Sequence, residues 1–244
     1  MNQQNIFDDF QNLQNFRPDG RKKSESRNFI PRLGFDPLSE GSCHLKMGIT
    51  EVVCQIRGPH EKKNQDKNKF INVFYSVAPF SGIERKAVSK FDKESSEFAE
   101  NLRLSFEKLI FTETLQKSEI DIIITILQGD GSTKAAIFNC ITLALLDAGI
   151  GMKDFLVGST VGLSNSEPFV DITYEEQRQM NAEIVISYMP RQQKIDFISL
   201  KCSKINVQDL ENMKQSAVQA CENIYQQMRQ HLIQSSLKKL LCSR

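Results

Sequence analysis

The stretch from Ile120 to Gly149, IDIIITILQGDGSTKAAIFNCITLALLDAG, leaves this chain few ways to fold. Its first eight residues, Ile120 to Leu127, are apolar and β-branched apart from one aspartate, the composition of a central strand covered on both faces. From Ala135 onward it is apolar nearly all round a helical wheel and stops at Gly149, a helix C′ residue. A buried strand and a helix with no polar face both need layers around them, so packed sheets and helices are required. Between the two lies a turn, Gly129 to Lys134. A helix opening on Ser132 and Thr133 presents orphan N–H groups, two hydroxyls and the Lys134 ammonium to an anion. The same pattern also suits a plain strand–helix connector with a Ser/Thr N-cap. The G-x-x-x-x-G-K-[ST] spacing of a Walker A loop is absent.

The flanking segments read as a mixed α+β layout, two sheets with helices packed on them. CHLKMG and ITEVVCQIRG have strand patterning, GPHEKKNQDKNK (Gly58–Lys69) reads as an exposed basic loop, and FINVFYSVAPF returns to strand. Phe98, Leu102, Phe106 and Leu109 recur at helical spacing after Ser95 and Ser96, either of which can cap. FLVGSTVGL and FVDITY read as strands, EEQRQMN as a polar segment, and AEIVISYMP with KIDFISLK as a hairpin across Arg191 to Gln193. From Asn206 one long amphipathic helix follows, with Leu210, Met213, Ala217, Cys221, Ile224, Met228 and Leu232 on its stripe. Residues 1–16, rich in Asn and Gln, are expected to be a disordered leader. RPDGRKKSESR (Arg17–Arg27) carries five basic residues against two acidic ones and reads as a turn with a small positive patch.

Composition narrows the function classes. Thirty-one basic residues against thirty acidic ones give a net charge of +1, so nucleic-acid binding would need a local patch. The six cysteines form no C-x-x-C pair and no histidine sits at metal spacing, which points to small buried thiols in a reducing compartment. No signal peptide and no bilayer-spanning run is visible, and the expectation is a soluble intracellular protein with no membrane partner. His44, His60 and His231 have no nucleophile partner in the pattern and receive no catalytic role.

RPDGR, GSCHLKMGITEVVCQIRGPHE, YSVAPFSGIERK and LQGDGSTKAAIFNCITLALLDAGIGMKDF follow one another in the order seen in the ribonuclease PH family, which this chain resembles from about Arg17 to Leu241. The resemblance implies a ribonuclease PH-type fold (ribosomal protein S5 domain 2-like). It divides the chain into the leader 1–16, a first part 17–163 and a C-terminal part 164–244 carrying the long helix.

Active members of that family shorten RNA from its 3′ end with phosphate as the nucleophile. The glycine turn is where they hold phosphate, which makes Ser132, Thr133 and Lys134 a cradle, with lysine in place of the family's arginine fork. The family's two aspartates align with Gln177 and Glu183. A neutral amide is no general acid and a poor magnesium ligand, so these are degenerate catalytic positions, with no catalytic residue, metal or cofactor expected. An arginine pair that contacts RNA aligns with Lys93 and Glu94, one charge kept and one reversed. Lys62 and Lys63 fall where relatives line a central channel. Lys62, Lys63 and Lys93 are therefore the expected RNA contacts.

The implied function is a non-catalytic ring subunit of the RNA exosome. Its expected partners are homologous ribonuclease PH-like subunits, S1/KH-type cap subunits, single-stranded RNA and a separate hydrolytic nuclease. The expected location is the nucleus, including the nucleolus, and the cytoplasm. The alternative is an active phosphate-dependent 3′-to-5′ exoribonuclease, either with Glu176 and Glu183 as the acid pair or with its active site completed by a partner.

Overall fold

The computed structural model describes residues 17, 19–61, 70–82, 85, 93–111, 118–202 and 204–242, the last five as backbone only. The leader 1–16 and the expected RNA contacts Lys62 and Lys63 lie outside them. Along the described residues the order is β1 (Phe29–Leu33), β2 (Gly41–Met47), β3 (Thr50–Glu61), β4 (Ile71–Val77), α1 (Lys93–Leu109), β5 (Ser118–Gln128), α2 (Thr133–Asp147), β6 (Val157–Ser164), β7 (Glu167–Val170), α3 (Tyr174–Gln179), β8 (Ala182–Met189), β9 (Lys194–Cys202) and α4 (Val207–Cys242). One sheet has the order β1-β2-β3-β5-β4 and the other β7-β6-β8-β9. All pairings are antiparallel except β4 with β5, which run parallel with α1 as their crossover. The α+β layout of two sheets with packed helices is therefore the observed one.

Helix α2 is the centre of the molecule. Every residue from Ala135 to Leu145 is buried. On one side a Cβ at Gly41 of β2 would lie 2.5 Å from the Ala144 carbonyl oxygen, and on the other a Cβ at Gly158 of β6 would lie 2.8 Å from that of Ala135. Both sheets thus come within backbone contact of the helix, which only glycine permits. The two buried polar side chains of this helix, Asn139 and Thr142, are hydrogen-bonded. Asn139 accepts from Gly158 N at 2.8 Å and donates to its carbonyl at 3.1 Å, and Thr142 Oγ1 donates to the Leu156 carbonyl at 2.7 Å. Buried polar groups with complete hydrogen bonding fix the helix against β6 in one register.

Ile120, Ile122, Ile124 and Ile126 of β5 join Phe106, Phe138 and Ile141 in the main core. The expectation that β5 is covered on both faces is corrected here: Ile123 and Leu127 point the other way and are only partly buried, because the helices pack on one face of the first sheet. α1 lays Phe98 against Tyr75, Phe138 and Phe197, with ring centroids 5.9, 6.0 and 6.3 Å away. A second cluster lies between the second sheet and α4, where Val161, Ile184 and Ile186 meet Met213 and Ala217. The stripe expected on α4 is the buried one from Met213 to Met228.

Other boundaries move. β3 continues through Gly58 to Glu61, where a loop is expected, and His60 there faces Glu119 at 3.3 Å and Asp121 at 3.7 Å. Helix α3 occupies the segment read as merely polar. The division after Leu163 falls inside β6. Cys43, Cys54, Cys140 and Cys221 are buried free thiols, whereas Cys202 is exposed. No helix among the described residues is long and apolar enough to cross a membrane.

Candidate functional site

The turn after β5 is built by neighbours far along the chain. Ser132 sits in the left-handed region (φ 48°) immediately before α2. Its Oγ donates to the Ile172 carbonyl at 3.0 Å. That bond ties the turn to the segment before α3. Gly131 (φ 73°) packs so closely there that a Cβ would lie 2.3 Å from the Ile172 oxygen. Asp130 accepts from Tyr174 N at 3.3 Å, joining the turn to the start of α3.

Beneath it lies a buried arginine brace. Arg27 grips Asp171 with Nη2 at 2.8 Å and Nε at 3.1 Å, and also donates to the carbonyls of Asp130 at 2.7 Å and Gly131 at 3.3 Å. Thr50 Oγ1 donates to the Gly131 carbonyl as well, at 3.0 Å. Burial works to raise the Asp171 carboxyl, but the charge and hydrogen bonds of Arg27 outweigh it and hold the group below its ordinary value. A second pair lies alongside. Arg17 meets both Glu176 oxygens at 2.7 Å and the Val170 carbonyl at 2.7 Å. Glu176 also closes the capping box of α3 with Thr173. Burial again pushes its carboxyl up, and the Arg17 hydrogen bonds bring it below its ordinary value. The positive patch expected of Arg17–Arg27 is therefore corrected at its two ends: Arg17 and Arg27 are 4% and 5% exposed and neutralised inside the fold.

On the far side of the turn is a cavity of about 170 Å³ lined by Gly129, Gly131, Ser132, Thr133, Lys134, Thr160, Tyr174, Gln177, Glu183, Val185, Ser199 and Lys201. One wall is the turn with the first residues of α2, whose leading N–H groups have no acceptor within a helix. The other is one face of the second sheet, where Thr160 pairs across with Val185, Val185 with Ser199, and Glu183 with Lys201. Gln177, near the end of α3, donates from Nε2 to Glu183 Oε2 at 2.6 Å. Thr160 is 1% exposed, and its Oγ1 has no hydrogen-bond partner among the described residues. At the mouth Glu94 lies 3.4 Å from Lys134 and 3.6 Å from Lys201.

Five sequence-expected residues, Ser132, Thr133, Lys134, Gln177 and Glu183, thus share one cavity. Lys93 does not join them: its side chain is 91% exposed and pairs with Glu97 at 3.9 Å. Glu176 is on the opposite side of α3, spent on Arg17, so the alternative pairing of Glu176 with Glu183 has no geometric basis. Thr160, Ser199 and Lys201 were not anticipated. None of the three histidines lines the cavity. The donor set, two lysines, a hydroxyl and a helix N-terminus, suits an oxoanion. It does not suit a divalent cation: one carboxylate beside an amide is too few hard donors. Among the described residues no group of three His, Cys, Asp or Glu side chains is arranged so that it could hold a metal ion.

Comparison with known proteins decides the lineage. Residues 25–151 match domain 1 of the 3′ exoribonuclease family (RNase PH), and residues 154–220 match domain 2. The chain belongs to the RNase PH family. Among its relatives in that family, a putative exosome complex component RRP41 of Caenorhabditis elegans is 34% identical, covering 86% of this chain and 89% of that protein. The exosome complex component RRP41 homolog of Arabidopsis thaliana is 33% identical over 95% and 97% of the two chains. The human exosome complex component RRP41 is 31% identical over 92% and 95%. The crystal structure of rice (Oryza sativa) Rrp46 superposes with a TM-score of 0.79 at 19% identity, covering 88% of this chain and 99% of that one, a likeness of fold alone. In this RNase PH chain the cavity above brings the glycine turn together with Gln177 and Glu183.

Proposed function

We propose that this chain is a non-catalytic ring subunit of an RNA exosome. In this reading it alternates with homologous RNase PH-like chains in a six-membered barrel beneath S1/KH-type cap subunits. Single-stranded RNA threads the barrel towards a separate hydrolytic nuclease, in the nucleus, the nucleolus and the cytoplasm. Ribosomal RNA processing and mRNA turnover are the processes served. The relatives named as exosome components support the assembly. The observation that carries the silence is Gln177: its amide faces Glu183 at 2.6 Å, in the cavity that holds the turn. An amide has no proton to give at neutral pH, and phosphorolysis needs a group that protonates the leaving oxygen. Exposed apolar residues on two of the four edge strands, Phe74 of β4 and Ile198 and Leu200 of β9, add support, since sheet edges of this kind are ordinarily covered by neighbours.

The test uses the complex purified from cells through this subunit. It receives labelled single-stranded RNA with inorganic phosphate, and nucleoside diphosphates are sought. None are expected, while phosphate-independent hydrolysis continues. Diphosphates that disappear when Lys134 is changed to Met would show an active phosphorolytic enzyme instead.

A further inference from the structure

The cavity mouth is closed by the chain itself. Glu94 stands in the first turn of α1, and its Oε1 is shared between Lys134 Nζ at 3.4 Å and Lys201 Nζ at 3.6 Å. Four residues further along α1, Phe98 places its ring 5.3 Å from the same Lys134 ammonium. Residues four apart share a helix face, so one helix brings both a carboxylate and an aromatic ring to this lysine. Below them Thr160 Oγ1 is buried and unpartnered, and α2 presents its N-terminus. One oxygen anion held by two ammoniums, above an unused hydroxyl and a helix N-terminus, stands where a ligand oxoanion would.

We propose that Glu94 is an internal competitor for a phosphate group at this cavity, and that Lys201 is the second cation for which they compete. The inference rests on the reading of the cavity as a phosphate cradle. A phosphate engages both lysines only after the carboxylate swings out. Glu94 is 67% exposed, so its ion pairs are screened by water and can be exchanged without disturbing the core. The phosphate chemistry is the same whether it arrives as free inorganic phosphate or as a phosphodiester of RNA.

The test is calorimetric titration of the full chain with inorganic phosphate in phosphate-free buffer. Glu94→Gln is expected to tighten binding about three- to tenfold, the range for releasing one or two exposed ion pairs. Glu97→Gln removes an acidic residue close by on the same helix without touching either lysine, and is expected to change nothing. Lys201→Met introduced into the Glu94→Gln protein is expected to abolish the gain. A parallel titration with a short oligouridylate lacking terminal phosphates separates the sources: a gain for both ligands identifies phosphodiester binding, and a gain for phosphate alone identifies the free ion. Equal phosphate affinity in wild type and Glu94→Gln overturns the role of Glu94 and leaves the cradle reading standing. No phosphate bound by either protein overturns both.

Discussion

Glu176 and Gln177 are adjacent in the chain and live in opposite surroundings. α3 turns about 100° per residue, so one side chain enters the arginine brace and the other the cavity. Glu176 is 7% exposed and paired with an Arg17 that is itself 4% exposed. Changing Glu176 to Gln leaves a buried guanidinium uncompensated, which costs about 3–5 kcal/mol. Gln177→Ala, which removes one part-buried hydrogen bond, is expected to cost only about 1 kcal/mol. Urea unfolding of both variants checks this, and similar losses at the two positions would contradict the assignment of faces. At this scale the sequence showed which residues matter but not where their charges go. Arg17 and Arg27 read as a basic patch because composition counts charges without their partners, and those partners, Glu176 and Asp171, are 159 and 144 residues away.

Among the elements, the glycine turn and α3 depend on each other. Gly131 has a positive φ and no room for a Cβ, whereas Gly149, after α2, has a similar φ of 71° and nothing within 4 Å. Gly149→Ala should therefore cost only the left-handed strain, about 1–2 kcal/mol. Gly131→Ala adds a backbone clash and is expected to lose roughly 3–4 kcal/mol. Thermal melts of the pair check the difference, and equal losses would mean that α3 gives way freely. α3 is legible in the sequence only through its cap: Thr173 and Glu176 spell a capping box, while the segment itself is short and polar. Lys201 was not readable, for a different reason. Counting outward from the Met189–Lys194 pair at the hairpin turn sets Glu183 opposite Leu200 and sends Lys201 to the far face. A bulge at Ser187/Tyr188 shifts the register by one, so that Lys201 comes opposite Glu183 and reaches the cavity. No residue type in that stretch announces the bulge.

For the molecule as a whole, the two carboxylates held by buried arginines, Asp171 and Glu176, predict its response to acid. Both are held below their ordinary values in the folded state. A carboxyl lowered on folding stabilises the native state fully above its unfolded value, and the contribution is lost as pH falls through the folded one. Unfolded carboxyls titrate at about 3.9 and 4.3, so stability should hold steady to about pH 5 and fall steeply below about pH 4. Asp171→Asn should begin less stable at neutral pH and show a shallower acid limb. An unchanged slope in the variant would assign acid sensitivity to other groups.

Helix α2, gripped by glycines of two sheets and locked to β6 by Asn139, has a further consequence. Where its first turn lies is decided by packing that the entire protein needs in order to fold. A lineage that loses a reacting carboxylate still cannot let that helix drift. The turn that opens onto the cavity then persists as a by-product of foldability, passed on whether or not it is ever used. In related chains an intact turn is therefore uninformative about turnover.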